Sequence, residues 1–395
     1  MAHTLPKDAA DIVAALRHWA RDVALPLWAE KGFDRQRGGF HERLDFSGRP
    51  DLACLRRTMV QARQIYVYAH AGLLGWHPEG AEIALRGFEH LAAARHGRDG
   101  APGYVHALTP DGDVADATRD AYDHAFVLLA LSWLARATGE PRAFAMIDEL
   151  LAFLDDHLAD REGGFVEAIP LRLPRRQNPH MHVFEALLAL HEATGHPEAL
   201  PRAGRLLVLL TEKFIDPETG ALREFFDAQW RPAAGPAGDH IEPGHHAEWV
   251  WLLHRYRVLA GARTDGLADA LFAIAARFAD PQSGLVVDEA DRFGAIRKST
   301  RRCWAQTEMA KAWLVRHEAG DPQAKEAALR VLKGIARDHL SGPFPGGWYD
   351  RVDTLGRPDI AFVPASAFYH LFGAITEADR VLGRPAKAGA PCAGR

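Results

Sequence analysis

A histidine followed three residues later by a glutamate occurs twice in this chain, at His182/Glu185 and at His245/Glu248. Residues three apart share a face of a helix, so each pair presents an imidazole and a carboxylate together. Histidine titrates nearest to neutrality, and a carboxylate beside it can orient it or raise its basicity, so such pairs suit proton transfer. The second pair lies in His240-Ile241-Glu242-Pro243-Gly244-His245-His246-Ala247-Glu248-Trp249, where a Pro-Gly turn runs into an apolar helix. A merely capped or solvated helix end could carry the same residues. What surrounds them decides between the two.

The same residue types bind metals, and that reading is weighed first. The chain has no HExxH. His-x-x-Glu ligates metal in helical bundles when partner helices add further inward glutamates. The residues expected opposite, Arg63, Tyr122 and Trp304, are poor ligands or repel a cation. No metal and no other cofactor is therefore expected. A P-loop, a GxGxxG after a strand and a GxSxG are all missing, which leaves nucleotide, dinucleotide and serine-hydrolase functions without support. His180, His191, His246 and His254 have no assigned partner and read as satisfied or solvated.

The elements that must position these groups come from an internal repeat. A phrase of glycine, an aromatic or aliphatic residue and a polar ending recurs as Gly38-Gly39-Phe40-His41-Glu42, Pro102-Gly103-Tyr104-Val105-His106 and Gly163-Gly164-Phe165-Val166-Glu167. It continues as Thr219-Gly220-Ala221-Leu222-Arg223-Glu224, Ser283-Gly284-Leu285-Val286-Val287-Asp288 and Gly346-Gly347-Trp348-Tyr349-Asp350. The second glycines, at 39, 103, 164, 220, 284 and 347, are 56 to 64 residues apart. An amphipathic Ala/Leu/Arg-rich segment precedes each phrase, with apolar residues at i, i+3, i+4 and i+7, the mark of a helix with one wet face. These outer helices are predicted near 10–30, 82–96, 142–157, 201–214, 266–279 and 325–339. A more apolar segment follows each phrase and reads as a buried inner helix, near 58–74, 121–137, 179–194, 245–260, 303–317 and 364–376. The pattern predicts an all-α (α/α)6 toroid, a barrel of six helical-hairpin repeats with short β-hairpins in the loops. A linear solenoid of the same repeats is the alternative.

Each inner helix begins with polar residues. These are Gln61-Ala62-Arg63-Gln64, Arg119-Asp120-Ala121-Tyr122-Asp123-His124, Asn178-Pro179-His180-Met181-His182, the His245 stretch, Trp304-Ala305-Gln306-Thr307-Glu308 and Tyr369-His370. Six such mouths on one axis would line a funnel of rings, charges and hydrogen-bonding groups suited to a small polyhydroxylated ligand.

The whole chain sets the remaining bounds. It has 395 residues, 48% hydrophobic and 25% charged, with a net charge of −5. Its Lys and Arg are spread out, so no nucleic-acid or membrane partner is expected. Cys54, Cys303 and Cys392 are an odd number without CxxC spacing, which fits a reducing cytoplasm. No basic, apolar leader opens the chain. A single domain over 1–383 is expected, with a small-residue, Pro/Gly-rich tail, 384–395, that is expected to be disordered. The oligomeric state is left open.

These phrases together resemble the N-acylglucosamine 2-epimerase superfamily, from the Gly38 hairpin to His370. Gln61-Ala62-Arg63-Gln64, Asn178-Pro179-His180-Met181-His182, Pro243-Gly244-His245-His246-Ala247-Glu248-Trp249, Trp304-Ala305-Gln306-Thr307-Glu308 and Tyr369-His370 carry the resemblance. Asn-x-x-x-His and Pro-Gly-His-x-x-Glu-Trp look most like its aldose–ketose isomerase branch, which includes mannose and sulfoquinovose isomerases. The resemblance implies His245 and His370 as the acid/base pair. It implies Arg63, Tyr122, Asn178, His182, Glu248, Trp304 and Glu308 as substrate-binding residues, with Gln306 nearby. Relatives commonly carry a tryptophan where this chain has Met59, which leaves the choice of sugar open. The implied reaction interconverts a free aldose and ketose, mannose and fructose first, through a cis-enediol. A 2-epimerase of N-acylglucosamine or cellobiose type is the runner-up. A toroidal glycoside hydrolase using Asp120 and Asp123, and a non-catalytic sugar binder, rank below it. The arginine-rich stretches 171–176 and 297–302 are candidates for an anionic substituent on the sugar, against a default of solvated loop charges.

Overall fold

The computed structural model describes residues 9–383. The tail expected to be disordered, 384–395, lies outside the described residues. The inner helices run Thr58–Leu73, Ala121–Thr138, Asn178–Thr194, Pro243–Ala260, Cys303–Glu318 and Phe368–Leu382. The outer ones occupy 9–31, Gly80–Ala94, 141–158, 199–214, Asp265–Arg277 and Ala324–Asp338. Three outer helices include a π-helical turn, Trp19–Ala24, Leu154–Leu158 and Leu210–Phe214. The fold is the expected (α/α)6 barrel. In the outer helix Ala324–Asp338, Ala328, Val331, Leu332 and Ile335 are buried while Lys325, Arg330 and Arg337 are exposed. The inner helices bury nearly every side chain of their first three turns. One expected boundary is corrected. The sixth inner helix starts at Phe368, not near 364, because Phe362–Pro364 is held extended by pairing with another strand.

The repeated phrase has a definite job. In five repeats a glutamine or histidine in the first turn of the inner helix accepts a hydrogen bond from a backbone N–H one or two residues after the glycine of the phrase. Gln61 accepts from Phe40, His124 from Tyr104, His180 from Phe165, His246 from Leu222 and Gln306 from Val286. The three histidines accept at Nε2, so Nδ1 carries the proton. It is placed to donate to the carbonyl four residues back, on Asp120, Arg176 and Glu242 respectively. Burial holds all three well below the usual histidine range, at about 4, so they are neutral latches. The glycine is required because a Cβ at Gly164 would lie 2.7 Å from the His180 ring, and Gly164 also has φ +68°.

Two-stranded ties join the repeats in sequence. Arg56–Arg57 pairs with Ala107–Leu108, Arg119–Asp120 with Ala168–Ile169, and Arg175–Arg176 with Phe225–Phe226. His240–Ile241 pairs with the strand Glu289–Asp291, and Arg301–Arg302 pairs with Arg351–Val352. The sixth tie runs backwards. Phe362–Pro364 pairs with Arg43–Asp45 of the first repeat. Behind it Trp28 stacks on Trp348 at 5.0 Å, and Arg17 reaches Asp379 at 2.9 Å. These contacts close the ring and exclude the linear solenoid. No helix among the described residues is long and apolar enough to cross a membrane.

Candidate active site

The latches set the register of the inner helices, so side chains at equivalent positions meet around the axis. Two residues beyond each latch stand Arg63, Phe126, His182, Glu248 and Glu308, with His370 at the matching place in the sixth helix. They form a circuit. The Arg63 guanidinium lies 4.1 Å from the Phe126 ring centroid, and Phe126 lies 4.5 Å from His182. His182 Nδ1 is 4.0 Å from Glu248. Oxygen or nitrogen atoms of Glu248, Glu308 and His370 all lie within 4.8 Å of one another. Tyr369, beside His370, returns the circuit to Arg63, whose guanidinium is 5.0 Å from its ring.

One helical turn towards the mouth, His245, Trp304, Tyr122 and Asn178 stand above this ring. Trp304 lies between the two catalytic candidates, 4.8 Å from His245 and 5.7 Å from His370. Gly244 makes room for it, since a Cβ there would meet the indole at 2.7 Å. Arg63 is fixed by donating to the Ser366 carbonyl at 2.9 Å and to the Tyr122 hydroxyl at 2.6 Å. Met59 is buried, and its backbone N–H is held by Asp123.

Each histidine has its own carboxylate. The sequence left Glu248 as either orienter of His245 or ligand of the sugar, and the first of these is corrected. His245 Nδ1 lies 2.9 Å from Glu224, the polar end of the fourth repeat phrase. A carboxylate on a neighbouring hairpin points at the ring edge, whereas Glu248 projects deeper along the same helix. His370 Nδ1 lies 2.9 Å from Glu308, and His182 Nδ1 lies 3.0 Å from Glu185. Tyr369 donates its hydroxyl to Glu185. Glu308 thus sits behind His370, and its other oxygen is 2.6 Å from the ammonium of Lys311. Gln306 is a latch and does not face the funnel.

The surroundings charge these groups unequally. Burial opposes the positive form of His245, yet the carboxylates of Glu224 and Glu242 outweigh it and raise its pKa to about 9. Burial also acts on His370, and there the charges of Arg63 and Lys311 add to it, so its pKa falls well below the usual histidine range. Burial holds His182 at about 4 despite Glu185. Burial raises the Glu248 carboxyl well above the normal range, with Glu308 adding to the effect. One histidine is thus set to carry a proton and another to receive one.

Several buried polar atoms here have no protein partner, namely both carboxyl oxygens of Glu248, the side-chain oxygen of Asn178 and Nε of Arg63. Buried polar atoms are normally paired, so these mark where ligand hydroxyls would bond. Two groups have a composition compatible with a cation, His182/Glu185/Glu248 and Glu248/Glu308/His370. Any ion in the second would compete with the Lys311 ammonium already on Glu308.

Other sequence candidates are otherwise engaged. Asp120 caps its helix by accepting from the Tyr122 and Asp123 N–H groups. Asp123 holds His106 at 2.6 Å. Neither is a free carboxylate for glycoside cleavage. In the arginine-rich stretches, Arg175 and Arg301 are buried ties to the hairpin residues Asp160 and Asp280, at 2.6 and 3.4 Å. Arg176 pairs with Glu167 and Arg302 with Glu242. Arg172 donates to Thr118, Arg297 pairs with Asp291 and Lys298 with Glu289. Sequence reasoning missed Glu224 and Lys311. Glu224 could have been found as the polar end of its phrase, and Lys311 as a charge inside a buried helix.

Comparison with known proteins identifies the family. A mannose-6-phosphate isomerase of Rhizobium meliloti (strain 1021) is 38% identical over 93% of this chain and 97% of its own. A D-mannose isomerase of Thermobifida fusca is 29% identical over 80% of this chain and 82% of its own. The structure of a cellobiose 2-epimerase from Spirochaeta thermophila DSM 6192 superimposes with a TM-score of 0.84 at 23% identity, covering 96% of this chain and 98% of that one. Residues 38–374 match the model of the N-acylglucosamine 2-epimerase family. The chain belongs to that family and is a sugar isomerase or epimerase.

Proposed function

We propose that this protein interconverts a free aldose and its ketose, mannose and fructose first, by histidine-mediated proton transfer without a metal. The observation that carries the reading is the pair His245 and His370. They flank Trp304, each backed by its own carboxylate and with opposite preferences for the proton. The sugar stacks on Trp304, and its hydroxyls bond Asn178, His182, Glu248 and Tyr122. His245, carrying a proton, gives it to the ring oxygen as C1–O5 breaks, while the anomeric O1–H loses its proton to water and becomes the C1 carbonyl. His370, neutral, takes the C2 proton to give an enediolate; a proton passes from O2 to O1 through the cis-enediol, and the imidazolium of His370 returns a proton to C1 as the carbonyl forms at C2. Arg63 supplies positive charge to the enediolate oxygens. Each positioned acid or base contributes about 10²–10⁴-fold.

The charge pattern around the mouth supports an uncharged substrate. Arg176, Arg302 and Arg57 already hold Glu167, Glu242 and Glu42. A phosphate there would have to displace a carboxylate, although the Rhizobium relative is named for a phosphosugar. The test is an NMR time course in D₂O after EDTA treatment, with mannose and mannose 6-phosphate compared. Fructose is expected from mannose, with deuterium at C1 and faster turnover than the phosphate ester. No turnover of mannose, lyxose or sulfoquinovose would sink the reading, and loss of activity with EDTA would remove its metal-free part.

A 2-epimerase is the second reading. It is favoured by the two histidines on either side of Trp304, which could reach C2 from opposite faces. Glucose from mannose without fructose would establish it in the same experiment.

A further inference from the structure

Lys311 has no part in the reaction as described, yet it is fully enclosed in the fifth inner helix, 3% exposed. Lysine is almost never buried unless paired. Its ammonium is 2.6 Å from one oxygen of Glu308 and 4.0 Å from the Trp251 ring centroid. The other Glu308 oxygen is 2.9 Å from His370 Nδ1. Glu308 is therefore a bridge from a fixed cation to the candidate base.

The surroundings of that bridge make the cation consequential. Glu248 and His245 face Glu308 from the fourth inner helix, His182 from the third and His370 from the sixth, while Glu185 of the third lies close to Glu248 and Lys311. Three carboxyls so enclosed do not all ionise, because like charges in low dielectric repel strongly. Glu185 has Tyr369 and His182 to stabilise its charge. Glu248 has no hydrogen-bond partner and is the one to keep a proton. Burial raises the Glu308 carboxyl as well, and Lys311 is the strongest influence against that rise.

We propose that Lys311 is a positioning residue: its ammonium keeps Glu308 a carboxylate, so that Glu308 accepts the Nδ1 proton of His370 and leaves Nε2 free as the base. Without the ammonium, Glu308 takes up a proton and becomes a donor. Its O–H then donates a hydrogen bond to Nδ1, and the imidazole switches to the tautomer with its own proton on Nε2. That tautomer cannot accept the C2 proton. The catalytic part of this inference rests on the isomerase reading, and the tautomer part does not.

The experiment is nitrogen NMR of the full chain labelled with ¹⁵N-histidine, with the His370 signals assigned from the spectrum of His370→Gln. At neutral pH wild-type His370 is expected to be protonated at Nδ1 and bare at Nε2. Lys311→Met should reverse this and lower kcat by about 100-fold, with KM within about threefold, as expected for a group acting in the transition state. Lys311→Arg should keep the wild-type tautomer. A wild-type His370 protonated at Nε2 overturns the proposal without any variant, which covers the case in which Lys311→Met does not fold. A folded Lys311→Met with the wild-type tautomer, or with the switched tautomer and unchanged kcat, also overturns it. Wild-type protein that shows the expected tautomer but turns over no aldose would count against the isomerase reading alone.

Discussion

His245 and His370 are the same side chain set to opposite tasks by their neighbours. His245 lies among Glu224, Glu242 and Glu248, and these raise it to about 9 despite burial. His370 faces Arg63 and Lys311, which together with burial push it down. The pH dependence of kcat/KM follows with a definite sign. Activity needs His245 protonated, so it falls as pH rises through about 9. It needs His370 neutral, so it is held well below pH 6.5 on the acid side. Glu224→Gln removes the charge beside His245 and should move the alkaline limb down towards the ordinary histidine range, as a pH–rate profile would record. An unmoved alkaline limb would assign that limb to another group. His245→Ala and His370→Ala should each lower kcat by about 10²–10⁴-fold, while circular dichroism shows an intact fold.

At the scale of the element, the latch makes the site reproducible. Five of the six inner helices are fixed at their first turn to the hairpin before them, so a residue two places further on lands in the ring. Glutamine serves at this position in the first and fifth repeats and histidine in the three between, because either can accept from the hairpin N–H. His246→Gln should therefore cost little stability. His246→Ala leaves the buried Leu222 N–H without a partner and should cost about 1–3 kcal/mol. Urea denaturation of both variants checks this. Equal losses would mean that ring packing, not the hydrogen bond, holds the helix. The latch also explains why His246 and His180, adjacent to site residues in sequence, stay out of the chemistry.

For the whole molecule, closure is what turns six helix mouths into one site. Arg63 from the first repeat meets Tyr369 and His370 from the last because the ring is closed, by the pairing of Phe362–Pro364 with Arg43–Asp45 and the contacts behind it. Behind that seam Trp348 stacks on Trp28 and Phe368, and it is fully buried. Trp348→Ala should cost about 3–5 kcal/mol by emptying the seam. It should also lower kcat/KM, since Phe368 adjoins Tyr369 and His370. A calorimetric melt and steady-state kinetics read the two effects, and a loss of stability with unchanged kcat/KM would separate the seam from the site.

The sequence by itself determined the repeat, the helices to within a few residues and the side chains at each mouth. Those depend on local periodicity and turn chemistry, which a chain carries in its own spacing. It also contained the two histidines, though only the family resemblance paired them. Tertiary structure alone decided which carboxylate serves which histidine. Spacing along the helix offered only Glu248 to His245, and hairpin placement gave the role to Glu224, 21 residues away in sequence. It also decided that the loop arginines hold internal acids, and that Lys311 stands behind Glu308. Such pairings depend on distances of a few ångströms between different helices and hairpins, and on burial that strengthens every charge. Neither is encoded in spacing along one segment.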